Sequence, residues 1–150
     1  MSDSTFTFTF NKGMVDSSKK ITIVAAKWNG DLVNALVKAA QEHLSLLGFN
    51  NINTVHVPGS WELVHASQKA LVDCDGVISF GVVIRGETTH YELISESVTQ
   101  GLMQISINAN KPLALGLIAT ENFEQAHRRC DPEALNKGKE IAQSLAEMLQ

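Results

Sequence analysis

From Ile21 onward the chain alternates short apolar runs with longer stretches whose apolar residues recur every three or four positions, and this rhythm restricts the fold more than any other feature. The run Ile21-Thr22-Ile23-Val24-Ala25-Ala26 reads as a buried strand. Asp31 to Leu47 follows with Leu32, Leu36, Ala40, Leu44 and Leu47 at helical spacing, closed by Gly48. Asn53 to Val57 predicts a second strand, broken by Pro58-Gly59, and Trp61 to Val72 a helix. Gly76 to Ile84 is a third strand, Tyr91 to Gln104 a helix and Pro112 to Ala119 a fourth strand. Helices are predicted from Asn122 to Arg129 and from about Ala134 to Leu149. Strands that alternate with helices pair in parallel through right-handed crossovers, with helices on both faces. The expectation is an α/β protein, a three-layer doubly wound sandwich on a four-stranded parallel sheet of flavodoxin-like order.

Composition narrows the function. A 150-residue chain without repeats, 44% hydrophobic and 19% charged, reads as one globular domain. Twelve basic against sixteen acidic residues, a formal charge of -4, leave no electrostatic footprint for nucleic acid. Cys74 and Cys130 lack CxxC spacing and read as small apolar residues of a reducing compartment. No run approaches the ~20 apolar residues that cross a bilayer, and the first twenty residues do not resemble a signal or transit peptide, so the expected location is the cytoplasm, without membrane contact. Aromatic residues make up only 6%, which makes the positions of the two tryptophans informative.

Residues 1–20 stand apart as an N-terminal arm preceding a domain at 21–150. Thr5-Phe6-Thr7-Phe8-Thr9-Phe10 alternates strictly, as a strand with one apolar face does, and such a strand needs a sheet edge in its own or another subunit. The competing reading is a leader with no fold of its own.

In doubly wound sheets ligands bind outside the carboxyl ends of the strands. Those ends carry Lys27-Trp28-Asn29-Gly30, Pro58-Gly59-Ser60-Trp61-Glu62, Arg85-Gly86-Glu87-Thr88-Thr89-His90 and Thr120-Glu121-Asn122. Both tryptophans, a histidine and several polar groups thus share one rim, which suits a planar small molecule stacked on indole. The amides of Glu87, Thr88 and Thr89 lead into a helix and would suit an anion, most naturally a phosphate, although Thr88 is equally placed for ordinary capping. Neither a Walker A motif nor GxGxxG occurs. His90 is the candidate acid/base on that rim, whereas His43, His56 and His65 fall within elements and His127 beside two arginines. No histidine or cysteine cluster has metal-ligand spacing, and no GxSxG elbow supports a serine nucleophile. Arg128, Arg129 and Lys137 could neutralise a phosphate, or simply compensate the end of a short helix.

Trp28-Asn29, VPGSWEL (57–63), GVVIRGETTHYELI (81–94), GLIATENFEQAHRR (116–129) and Asn136-Lys137-Gly138, in this order, resemble the lumazine synthase family over about residues 21–149. The resemblance implies condensation of 5-amino-6-ribitylaminopyrimidinedione with 3,4-dihydroxy-2-butanone 4-phosphate to 6,7-dimethyl-8-ribityllumazine, releasing phosphate and water, with no metal or organic cofactor. It implies Trp28 stacked on the pyrimidine ring beside Asn29, and Ser60, Trp61 and Glu62 along the ribityl chain. Val83 and Ile84 would meet the ring edge through their backbone, and Glu87 and Thr88 would donate to the phosphate. His90 would move protons, Arg129 would bind the phosphate, and Lys137 would lie near it. A homopentamer with sites between subunits is also implied, the N-terminal strand joining a neighbour's sheet and Leu115 and Arg129 serving a neighbour's site.

This chain departs from the family pattern in three places. Leu115 stands where many members have phenylalanine, Trp28 where phenylalanine is more frequent, and Cys130 to Leu135 replaces a glycine-containing linker with one containing Pro132. The first two also fit a different reading, a non-catalytic protein that holds riboflavin or lumazine in the same pocket or forms a structural shell. His90, Arg129 and the anion loop oppose it, because a pure flavin binder has no use for a phosphate site.

Overall fold

The computed structural model of the chain describes residues 15–150. The alternating Phe6, Phe8 and Phe10 segment lies outside the described residues. Four strands, β1 (Lys20–Ala26), β2 (Asn51–Val57), β3 (Gly76–Ile84) and β4 (Leu113–Thr120), form one sheet in the order β2-β1-β3-β4. Each adjacent pair is parallel, as the sequence rhythm predicts. The central strands are buried along nearly their whole length, which explains why they read as continuous apolar runs. At the edge, β2 alternates exposed and half-buried positions over its first five residues and leaves Val55 45% exposed.

Among the described residues five helices cover the sheet: α1 (Gly30–Leu47), α2 (Leu63–Asp73), α3 (His90–Ala109), α4 (Phe123–Cys130) and α5 (Lys137–Met148). One core lies between the sheet and α1, α4 and α5, where Ile21, Ile23 and Phe80 meet Leu36, Ala126 and Ile141. The other lies between the sheet and α2 and α3, where Val24 and Val77 meet Leu63, Leu71, Val98 and Leu102. The architecture is therefore the expected three-layer sandwich. A buried Ser67–Ser79 hydroxyl pair, 2.7 Å apart, satisfies the polar atoms that α2 and β3 bring into the second core. Both cysteines are free and buried, and burial pushes the Cys130 thiol up to about 12.

Element boundaries differ from the expectations for local reasons. Ser60–Glu62 forms a 3-10 turn, so α2 begins at Leu63 rather than Trp61. The last helix begins at Lys137 rather than Ala134, because Asn136 takes a left-handed conformation (φ 48°) and its side chain accepts from the Lys139 amide. Ahead of it, Pro132 lies in a turn closed by the Asn136 amide donating to the Asp131 carbonyl oxygen at 3.1 Å. The third helix is longer than its periodic stretch, starting at His90 and ending at Ala109.

Candidate active site

The order β2-β1-β3-β4 brings the carboxyl ends of β2, β1 and β3 side by side, and a cavity of about 500 Å³ opens there. This lies within the usual range for a small-molecule site. The β1–β2 ladder runs past both strands: the Lys27 amide donates to the Val57 carbonyl oxygen at 2.8 Å and the Trp28 amide to that of Pro58 at 3.2 Å. These bonds fix the backbones at Trp28 and Pro58 side by side at the mouth. Both indoles line the cavity yet stay largely in solvent, Trp28 at 74% and Trp61 at 62% exposure. Large apolar rings left open at one cavity suit a planar ligand better than core filling.

Asn29 turns the chain from β1 into α1 in a left-handed conformation (φ 56°), which asparagine tolerates better than most residues. Its Nδ2 donates to the Val82 carbonyl oxygen at 2.8 Å, bridging the gap where β1 has ended and β3 continues. Beyond this point the backbone of β3 has an open edge. The Arg85 amide donates to the Thr120 carbonyl oxygen at 2.9 Å, so by strand alternation Val83 directs its backbone groups toward β4 and Ile84 directs its own toward the open side. Both residues line the cavity.

Ser60 is buried against Gly81, where any Cβ would come within 2.6 Å of the Ser60 Oγ. Glycine in β3 thus allows the 3-10 turn to lie on the strand and present Trp61 and Glu62 at the rim. The Glu62 Oε2 accepts from the Gly59 amide at 3.1 Å, one contact of a carboxylate with about four acceptor positions. His90 lines the same cavity from the first turn of α3 and is exposed. Its amide donates to the Thr88 Oγ1 at 3.3 Å, so Thr88 does have the local backbone role open to a residue ahead of a helix.

The cavity therefore gathers Trp28, Asn29, Ser60, Trp61, Glu62, Val83, Ile84 and His90. Glu87 and Thr88 are exposed in the loop between β3 and α3 and do not line it. Leu115 packs toward the α2/α3 core. Arg129, half-buried in the last turn of α4, donates from Nη1 to the Gln125 carbonyl oxygen at 3.0 Å. Lys137 is only 3% exposed, and its Nζ lies 2.8 Å from the Glu140 Oε2. None of these three lines the cavity.

Four lining residues were not anticipated. Pro58 and Gly59 belong to the strand-end motif, Val82 contributes through the strand, and Ile94 shares the helical face of His90 four positions earlier. That i,i+4 spacing was legible. Among the described residues, no group of three or more His, Cys, Asp or Glu side chains is arranged to hold a metal ion.

Fold and cavity together define a doubly wound α/β protein with a small-molecule site at the carboxyl edge of its sheet. A family model for 6,7-dimethyl-8-ribityllumazine synthase matches residues 18–150. The chain belongs to this family. Curated 6,7-dimethyl-8-ribityllumazine synthases resemble it along most of their length: that of Limosilactobacillus reuteri is 38% identical over 134 residues, 88% of each chain. The Leuconostoc mesenteroides protein is 37% identical over 137 residues, covering 89% of this chain and 88% of its own. The Bdellovibrio bacteriovorus protein is 39% identical over 131 residues, covering 87% and 73% respectively. Among the described residues, no helix is long and apolar enough to cross a membrane.

Proposed function

We propose that the cavity between Trp28, Trp61 and His90 is where this chain acts as a lumazine synthase, a transferase of riboflavin biosynthesis. The reaction joins the ribitylaminopyrimidinedione to the dihydroxybutanone phosphate. The single observation that carries the assignment to this cavity is the convergence of both tryptophans and His90 on one open site at the strand ends. The pyrimidine ring stacks on Trp28, its polar edge meets the backbone that Ile84 leaves open, and the ribityl hydroxyls follow Ser60 and Glu62 along the 3-10 turn. The phosphate lies at the Glu87–Thr88 loop, ahead of α3, where amides and the positive end of the helix dipole favour an anion.

The 5-amino group attacks the ketone carbon, and loss of water gives an imine. Loss of the proton from the hydroxyl-bearing carbon then expels phosphate from its neighbour, the resulting enol tautomerises to a new carbonyl, and attack of the ribityl-bearing nitrogen on that carbonyl, with loss of water, closes the second ring. His90 moves protons between these steps, and holding two substrates in register supplies much of the rate.

Leu115 and Arg129 lie away from the cavity, as residues that serve a neighbour's site in a homopentamer would. In that assembly Arg129 favours the leaving dianion, and the outer edge of β2, which among the described residues pairs with β1 alone, receives a strand built on Phe6, Phe8 and Phe10. Riboflavin, with its larger planar ring, is a further ligand for the same indole pair. The soluble substrates fit a cytoplasmic location.

The assignment is tested by titrating the pyrimidinedione substrate while following tryptophan fluorescence. Quenching that persists in Trp61→Phe and disappears in Trp28→Phe supports the stack; quenching unaffected by both substitutions contradicts it.

A further inference from the structure

The segment joining β3 to α3 carries both the proposed phosphate donors and His90, yet Gly86 to Thr89 has no helical or strand structure. Its ends are held by a side chain that plays no part in the reading above. Arg85, the residue after β3, pairs through Nη1 with the Glu92 Oε1 in the first turn of α3. Its Nε lies 2.8 Å from the Glu121 Oε2, just beyond β4, and its guanidinium carbon sits 4.4 Å from the centroid of the Tyr91 ring. A planar guanidinium can meet two carboxylates and a ring at once, which an ammonium cannot.

Each such contact is weak alone at half-exposed side chains. Together they close the loop from both sides, tying the end of β3 to α3 and to the turn after β4. The second oxygen of Glu92 is covered and has no hydrogen-bond partner among the described residues. Without Arg85 this carboxylate would lose its charged partner, and its side chain, 41% exposed, would turn toward solvent and release the first turn of α3 from the end of β3.

We propose that Arg85 is a positioning residue: by clamping Glu92, Tyr91 and Glu121 to the end of β3, it sets the Gly86–Thr89 segment and hence the phosphate donors and His90. It does so without touching substrate, since two carboxylates already balance its charge and a phosphate would have to displace one. The proposal rests on the assignment of the phosphate to this loop.

The test measures KM for each substrate separately, and inhibition by inorganic phosphate, in Thr88→Ala, Arg85→Ala, Arg85→Lys and Glu92→Gln. The expected result is that Arg85→Ala and Glu92→Gln each raise the KM of the phosphate substrate about tenfold and weaken phosphate inhibition in parallel, a loss of about 1.4 kcal/mol. The KM of the pyrimidinedione stays within about twofold, Arg85→Lys falls between wild type and Arg85→Ala, and the Arg85→Ala/Glu92→Gln double variant is no worse than either single one. If Arg85→Ala does not fold, Arg85→Lys and Glu92→Gln carry the comparison. Tighter phosphate binding in Glu92→Gln would make Arg85 a direct ligand and overturn the proposal. So would equal losses for both substrates, or no loss at all. Thr88→Pro, which removes a loop amide together with the hydroxyl, is measured beside Thr88→Ala to test the loop itself: an unchanged KM in both removes the loop assignment and the proposal with it, whereas a raised KM with unaffected Arg85 and Glu92 variants removes the clamp alone.

Discussion

The Asn29 side-chain amide donates to the Val82 carbonyl oxygen at 2.8 Å, linking the turn that carries Trp28 to the part of β3 that outruns β1. One residue thus sets the angle at which the chain leaves the sheet and ties that turn to the cavity floor. Asn29→Ala should lose about 1 kcal/mol because alanine lacks the short polar side chain that lets asparagine hold the left-handed region, and about 1 kcal/mol for the hydrogen bond. At about 2–4 °C per kcal/mol this lowers Tm by roughly 4–8 °C. Asn29→Gly retains the conformation and should lose about half as much. Thermal unfolding of the two variants checks this, and equal losses would show that the left-handed turn is not the source of half the effect.

His90→Ala should lower kcat by about 10²–10⁴, the usual contribution of a positioned acid/base, while leaving a measurable rate. Steady-state kinetics on an assembled variant decide the point. A rate indistinguishable from the uncatalysed reaction would contradict a mechanism dominated by holding the substrates in register.

Lys137 presents a different case, because its ammonium is buried against Glu140. Lys137→Ala removes one partner of a buried pair and should cost about 3 kcal/mol, or roughly 6–12 °C in Tm. Calorimetry alongside KM measurements separates this from a role in phosphate binding: an unchanged Tm with a raised KM for the phosphate substrate would make Lys137 a binding residue instead.

Deleting residues 1–12 removes the Phe6, Phe8 and Phe10 alternation and should weaken assembly. Sedimentation at matched concentrations should show the shortened chain dissociating at protein levels where the full chain does not. An undiminished assembly would exclude the arm as an inter-subunit strand.

The layers were legible because β1, β3 and β4 are apolar enough to need cover on both faces, and α1 shows its buried side as Leu32, Leu36, Ala40 and Leu44. The rim was legible because each strand end is marked by a break in the apolar run, which is why Trp28, Trp61 and His90 could be placed at one cavity. The start of α5 was not, because Ala134 and Leu135 ahead of it suit a helix and masked the cap signal that an asparagine at 136 carries. The Arg85 clamp was hidden for another reason: its partners Glu92, in α3, and Glu121, in the turn after β4, are far apart in the chain, and only the fold brings them to one guanidinium. The setting of Lys137 was likewise unreadable, because a lysine gives no sequence sign of being buried.

The central claim is that this cavity joins two substrates and expels phosphate. Purified, assembled protein mixed with the pyrimidinedione and the butanone phosphate, with lumazine absorbance and phosphate release followed together, tests it most directly. The account predicts that both signals rise in step and faster than without protein, and that Trp28→Ala slows them at subsaturating pyrimidinedione. No acceleration over the protein-free reaction, or full activity in a Trp28→Ala/His90→Ala variant, would contradict it.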